Sequence, residues 1–94
     1  MTDPDRIPMK WEEETERKFN IVLEQIPALI RGVAETLVSK KAVRIVREDN
    51  RQLVEEKDMV AAFFSETPAG FRKDMIRSLE ELGVDYKAYG FNAD

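Results

Sequence analysis

From Trp11 onward, the apolar and β-branched residues of this chain recur with the period of a helix. Trp11, Thr15, Phe19, Val22, Leu23 and Ile26 follow at steps of four, four, three, one and three, which lays them along one stripe. Glu13, Glu14, Arg17, Lys18 and Glu24 fall on the other side, the early glutamates sitting where the positive end of a helix dipole favours them. The spacing predicts a first helix over residues 11–25. Pro27 then interrupts the period: it lacks the amide hydrogen that an interior turn needs, suits the first turn of a new helix, and holds Ile26 extended. A bend at Ile26-Pro27 is therefore expected, followed by a second helix in which Leu29, Ile30, Val33, Ala34, Leu37 and Val38 make a broad apolar stripe. That stripe reads as the most buried of the molecule, with the helix ending near residues 39–41. The two stripes are expected to close face to face across the bend.

Residues 42–54 admit two readings. As strands, Ala42 to Val46 and Arg51 to Val54 flank a turn at Glu48-Asp49-Asn50; as a helix, Lys40, Arg44, Arg47 and Arg51 share one face. The β-branched content and the Asp-Asn pair favour a short hairpin lying against the helices. A third helix opens at Glu55-Glu56-Lys57-Asp58, carries Met59, Val60, Ala62, Phe63 and Phe64, and stops at Ser65-Glu66-Thr67-Pro68. Thr67 suits the N-cap and Pro68 the first residue of a fourth helix, whose stripe is Phe71, Met75, Ile76, Leu79 and Leu82 and whose stop is Gly83. The tail, residues 84–94, holds Tyr86, Tyr89 and Phe91, a concentration that implies docking on the body or on a partner. Residues 1–9, with Pro4 and Pro8, read as a loose lead-in. With no internal repeat, the expectation is a single domain over residues 1–94, mainly α: a small bundle of about four helices with one short β-hairpin.

Composition narrows the chemistry. The chain has 94 residues, 43% hydrophobic and 36% charged, enough for a modest core under a heavily charged surface. It contains neither cysteine nor histidine, so disulfides, thiolate nucleophiles, soft zinc sites and the usual neutral-pH general base are excluded. Ser39, Ser65 and Ser78 have no histidine to activate them, and Gly32, Gly70, Gly83 and Gly90 form no phosphate-cradling motif. The carboxylate pairs Glu12 with Glu16 and Glu81 with Asp85 read as solvated surface rather than as a cation site. No catalytic residue, metal ligand or cofactor is expected. The lack of a long apolar run and of a basic, apolar start argues for the cytoplasm and against a membrane or a secretory signal.

The net charge of −4 hides a split: the first helix and the second half of the chain are net acidic, whereas Arg31, Lys40, Lys41, Arg44, Arg47 and Arg51 make the middle net basic. Arg44, Arg47 and Arg51 are thus candidates for binding an anion, and Tyr86, Tyr89 and Phe91 for anchoring an interface. The leading expectation is a module that binds another protein or itself, ahead of nucleic-acid or anionic-ligand binding through the basic patch. Trp11 reads as an anchor at or near the core edge, and Arg31 as a side chain that pairs with a carboxylate or caps backbone carbonyls.

Trp11 and Glu14, then Ile26-Pro27-Ala28-Leu29-Ile30-Arg31 and, eleven positions further on, Ala42, resemble the small C-terminal domain of the light-independent, nitrogenase-like protochlorophyllide reductase, which also occurs in stand-alone bacterial proteins of unknown function. The resemblance covers roughly residues 9–62. Ser39 stands where that family usually carries Glu, and the gap between Trp11 and Ile26 is about one helical turn longer. In the reductase the iron–sulfur chemistry belongs to cysteine-bearing parts, so the resemblance implies a helical accessory module or a non-catalytic subunit of a reductase or tetrapyrrole-related enzyme. It implies no catalytic residue.

Overall fold

The structure, a computed structural model, describes residues 9–93. The predicted lead-in lies outside the described residues except for Met9, which packs at the core edge. The chain runs β1 (Lys10–Trp11), α1 (Glu13–Glu24), α2 (Ala28–Glu48), β2 (Leu53–Val54), α3 (Glu56–Glu66) and α4 (Arg72–Glu81), with 3-10 turns at Ala69–Phe71 and Tyr86–Tyr89. It is a mainly helical domain of four α-helices with one small sheet. None of the described helices is long and apolar enough to cross a membrane.

Helix α1 starts two residues later than the periodicity predicts, because Trp11 belongs to a strand. β1 pairs parallel to β2, Lys10 opposite Leu53 and Trp11 opposite Val54, and the Glu12 amide extends the ladder by donating to the Val54 carbonyl at 3.0 Å. Parallel neighbours require a crossover, and here α1 and α2 supply it. Trp11 still packs at the core edge, its ring 4.8 Å from that of Phe19. Glu13, Glu14 and Glu16 occupy the first turn of α1, and Thr15 Oγ1 donates to Glu12 at 2.8 Å.

The bend at Pro27 is present. Gln25 and Ile26 donate back to Val22 and Leu23, closing α1, and the Pro27 carbonyl accepts the amide of Ile30. Arg31, one turn into α2, reaches back across the bend. Its Nε donates to the carbonyls of Leu23 (3.0 Å) and Ile26 (3.2 Å), and its Nη2 to those of Glu24 (3.2 Å) and Ile26 (2.9 Å). The last carbonyls of a helix have no partner within it and carry its negative dipole end, so a guanidinium is well matched to them. Of the two roles foreseen for Arg31, capping is the one it takes.

Two expectations about α2 are overturned. The favoured hairpin over residues 42–54 does not form: α2 continues to Glu48, and only Leu53 and Val54 of that stretch are extended. Val38, Ala42 and Val46, at four-residue steps, make a buried inner stripe with Val43, and that burial outweighs the weak β preference of their side chains. The helix ends on Asn50 in the left-handed region (φ 56°), with Asn50 donating to Arg47 and Arg51 to Val46, a Schellman closure. The second correction concerns the stripe of Leu29, Ile30 and Val33, expected to be the most buried. Val33 and Ala42 lie two and a half turns apart, hence on opposite sides of the helix. Ala42 faces the core, so Leu29 is 95% exposed, Val33 63% and Leu37 45%, while Ile30 and Ala34 are half-buried. Across the bend, only the second half of α2 is closed over.

Glu55 and Asp58 form a reciprocal capping box at the start of α3. Thr67 is not the N-cap of α4. The Pro68 carbonyl accepts the Phe71 amide at 2.9 Å, an i to i+3 bond that winds Ala69–Phe71 as a 3-10 turn, and α4 starts only at Arg72. Gly83 (φ 73°) stops α4 as predicted, donating to Glu80 while Val84 donates to Leu79. Val22, Val46, Met59, Phe63 and Leu79 lie at the centre of the core. Among the described residues no buried side-chain nitrogen or oxygen lacks a partner.

Because Arg31 caps the Glu24 and Ile26 carbonyls and adds a second bond to that of Leu23, Arg31→Ala is expected to lower stability by about 1–3 kcal/mol. A reduced urea midpoint at unchanged slope is the result to look for, and Arg31→Lys, with no planar fork, recovers only part of the loss.

Candidate interaction surface

The outward stripe of α2 changes character halfway along. From the bend, Ile26, Ile30, Val33, Leu37, Lys40, Arg44 and Arg47 recur at alternating steps of four and three, the spacing of a helix seam. Up to Leu37 the stripe is apolar, with Leu29 beside it; from Lys40 onward it is cationic. The apolar part adjoins a groove of about 260 Å³, walled on one side by Ile26, Ile30, Val33, Ala34, Leu37 and Val38 of the bend and α2, and on the other by Glu66, Thr67, Pro68 and Phe71. An exposed apolar patch beside an apolar groove makes this face the candidate for an interaction surface.

The structure divides the residues singled out in the sequence. Arg44 and Arg47 lie on the outward stripe of α2, but Arg51 has left it. Beyond the left-handed Asn50 it turns to three carboxylates, donating to Asp49 (2.7 Å), Glu55 (3.0 Å) and, through both terminal nitrogens, to Asp58. Asp58 is 1% exposed and also accepts the Glu55 amide at 2.9 Å. Donating hydrogen bonds to Asp58 and Asp49 raises the Arg51 guanidinium still further above its ordinary value, so it stays charged throughout. Arg51 is thereby the clasp between α2 and α3.

The aromatic tail docks on the body. Tyr86 is 3% exposed and donates its hydroxyl to Glu80 at 2.8 Å. Phe91 stacks on Phe64 at 4.8 Å, with the Arg72 guanidinium 4.8 Å from the Phe64 ring centre. Tyr89 is exposed along one edge while its hydroxyl bonds Glu56 at 2.6 Å. Trp11, Ile26, Pro27 and Arg31, singled out in the sequence as a structural motif, all take part in packing or capping; Ile26 alone among them lines the groove.

Leu29, Val33 and Leu37 join the candidate site although periodicity alone assigns their stripe to the core. The sequence did hold the correcting signal: Val38, Ala42 and Val46 form a second stripe of the same helical period on the opposite side.

Glu56 accepts from Lys18 Nζ and from the Tyr89 hydroxyl, tying α1, α3 and the tail together. Burial alone would raise the Glu56 carboxyl, but its hydrogen bonds to Lys18 and Tyr89 outweigh that, so it lies below the ordinary 4.5. Hydrogen bonding to Glu56, then burial, pushes the Tyr89 phenol up to about 12. A depressed carboxyl contributes stability that is present above its unfolded value and is lost as pH falls through the folded one. A raised phenol contributes stability that is present below about pH 10 and is lost as pH rises through its folded value. Glu56→Gln is therefore expected to flatten the loss of stability below about pH 5. In an absorbance titration of phenolate, the same variant returns Tyr89 toward its ordinary value. Asp58→Ala, which opens the clasp, is expected to cost about 2–3 kcal/mol in chemical denaturation.

A family model described as a protein of unknown function, DUF2621, matches residues 5–91. No curated protein and no solved structure matches the chain.

Proposed function

We infer that this chain, which belongs to the DUF2621 family of proteins of unknown function, acts as a non-catalytic interaction domain that receives another protein on the outward, N-terminal half of α2. The observation that carries this reading is the exposure of Leu29, Val33 and Leu37 beside an apolar groove. These side chains do not hold the fold together, since the core lies on the opposite side of their helix. Polar residues would serve folding equally well there, so their apolar character points outward, to a partner. Covering a large aliphatic side chain stabilises by about 1.5–3 kcal/mol. Three of them, with the half-buried Ile30 and Phe71, supply enough to offset part of the cost of association. A helix laid along an apolar groove is a recurring form of recognition. The clasp around Arg51 supports the same reading, because it withdraws one of the three arginines on which anion binding would rest.

A photo-activated cross-linking residue placed at position 33 in cells of the native host is expected to give a discrete adduct. The same residue at Lys57, at the end of α3 remote from the groove, gives none, and Leu29→Glu abolishes the adduct at 33. No adduct at position 33 would end this reading. Leu29→Glu should leave the denaturation midpoint nearly unchanged, within about 0.5 kcal/mol, since the side chain stands in solvent.

A further inference from the structure

We propose that the occupant of this face is a second copy of the chain, bound with α2 antiparallel to α2 about a two-fold axis near Val33. The proposal rests on the reading of this face as a protein interaction surface and deepens it by naming the partner.

An isologous contact must be self-complementary, because each patch meets its own copy. In an antiparallel pair centred on Val33, a residue a given number of positions after it faces the residue the same number before it. Leu37 of each copy then meets Leu29 of the other, and Val33 meets Val33. The apolar segment is symmetric about that point, so the three exposed large hydrophobic side chains of α2 are all covered by apolar neighbours.

The charges select the same direction. Lys40 and Lys41 lie about two turns beyond Val33 on α2. The antiparallel pair carries them toward the Ile26 end of the other copy, where Glu24 is exposed. That end is held in place by the bonds from Arg31 to the Glu24 and Ile26 carbonyls. A parallel pair would instead bring the two sets of lysines to the same end and repel. The stripe from Leu29 to Leu37 is about 12 Å long, so the contact falls in the class of small interfaces and a dissociation constant on the order of 10 µM is expected.

Sedimentation equilibrium of the full chain, from about 1 to about 500 µM, tests this. The expected result is a monomer at the low end and a dimer at the high end, with association weakened by raising salt from about 0.05 to about 0.5 M. Val33→Glu sets two carboxylates against each other across the axis and keeps the chain monomeric throughout, with its circular dichroism and melting unchanged. Glu24→Lys weakens the dimer about fivefold, and adding Lys40→Glu and Lys41→Glu to it restores association. A wild-type chain that is monomeric at the highest concentration overturns the proposal, as does a dimer indifferent to Val33→Glu or to the charge exchange.

The cross-link at position 33 separates this failure from failure of the broader reading. An adduct of twice the chain mass supports the second copy. An adduct of any other mass overturns the second copy and leaves the interaction surface standing. A monomer that sediments with phosphatidylglycerol vesicles through Leu29, and gives no protein adduct, overturns both.

Discussion

The pairing of α2 with α3 is the contact on which the remaining arrangement depends, and the two helices differ in length. Helix α2 has 21 residues and α3 has 11, so one is about 31 Å long and the other about 16 Å. Along the second half of α2, Val38, Ala42, Val43 and Val46 are buried in the core that includes Met59, Val60 and Phe63 of α3. Toward the bend α3 ends, and its last residue Glu66 with Thr67, Pro68 and Phe71 faces α2 across a gap that is the groove. The exposed ridge and the groove are thus consequences of geometry. A domain of this size has too few elements to cover a helix of that length on every side.

Each reversal of the chain is closed by hydrogen bonds, and this fixes the walls of the groove. Arg31 locks the end of α1 to the first turn of α2. Asn50 and Gly83, both left-handed, end α2 and α4 with matched pairs of backbone bonds. At Gly90 the same pattern closes the last 3-10 turn, with Phe91 donating to Tyr86. A surface framed by such closures has its shape set by the backbone of the domain itself, and under the interaction proposed above that lowers the ordering cost of binding.

Charge inside the domain connects its elements. Arg51 joins Asp49, Glu55 and Asp58 where α2 gives way to α3, and Lys18 and Tyr89 meet on Glu56 where the tail crosses α3. A basic stretch that looks continuous in the sequence is therefore split in space. Its last arginine closes the core, while Lys40 and Arg44 continue the outward stripe of α2.

Much of the architecture could be read from residue order, because the signals involved are local. The bend at Pro27, the stop at Gly83 and the opening of α3 at its acidic residues each follow from a few neighbouring residues and their backbone preferences; the aromatic tail fits docking on the body or on a partner, and only the packing of Tyr86 and Phe91 decides for the body. Two further features required the tertiary structure. Residues 42–48 are β-branched enough to suggest strands, and only burial against α3 decides for helix. Helix α2 also carries apolar side chains on two opposite sides, and periodicity alone cannot rank two stripes of the same period. Which one becomes core depends on where α3 lies, a contact between residues far apart in the chain. By itself the sequence determined the helices, most of their ends and a chemistry without histidine or cysteine. The packing of α3 on the second half of α2 decided which apolar face is structural and which remains exposed.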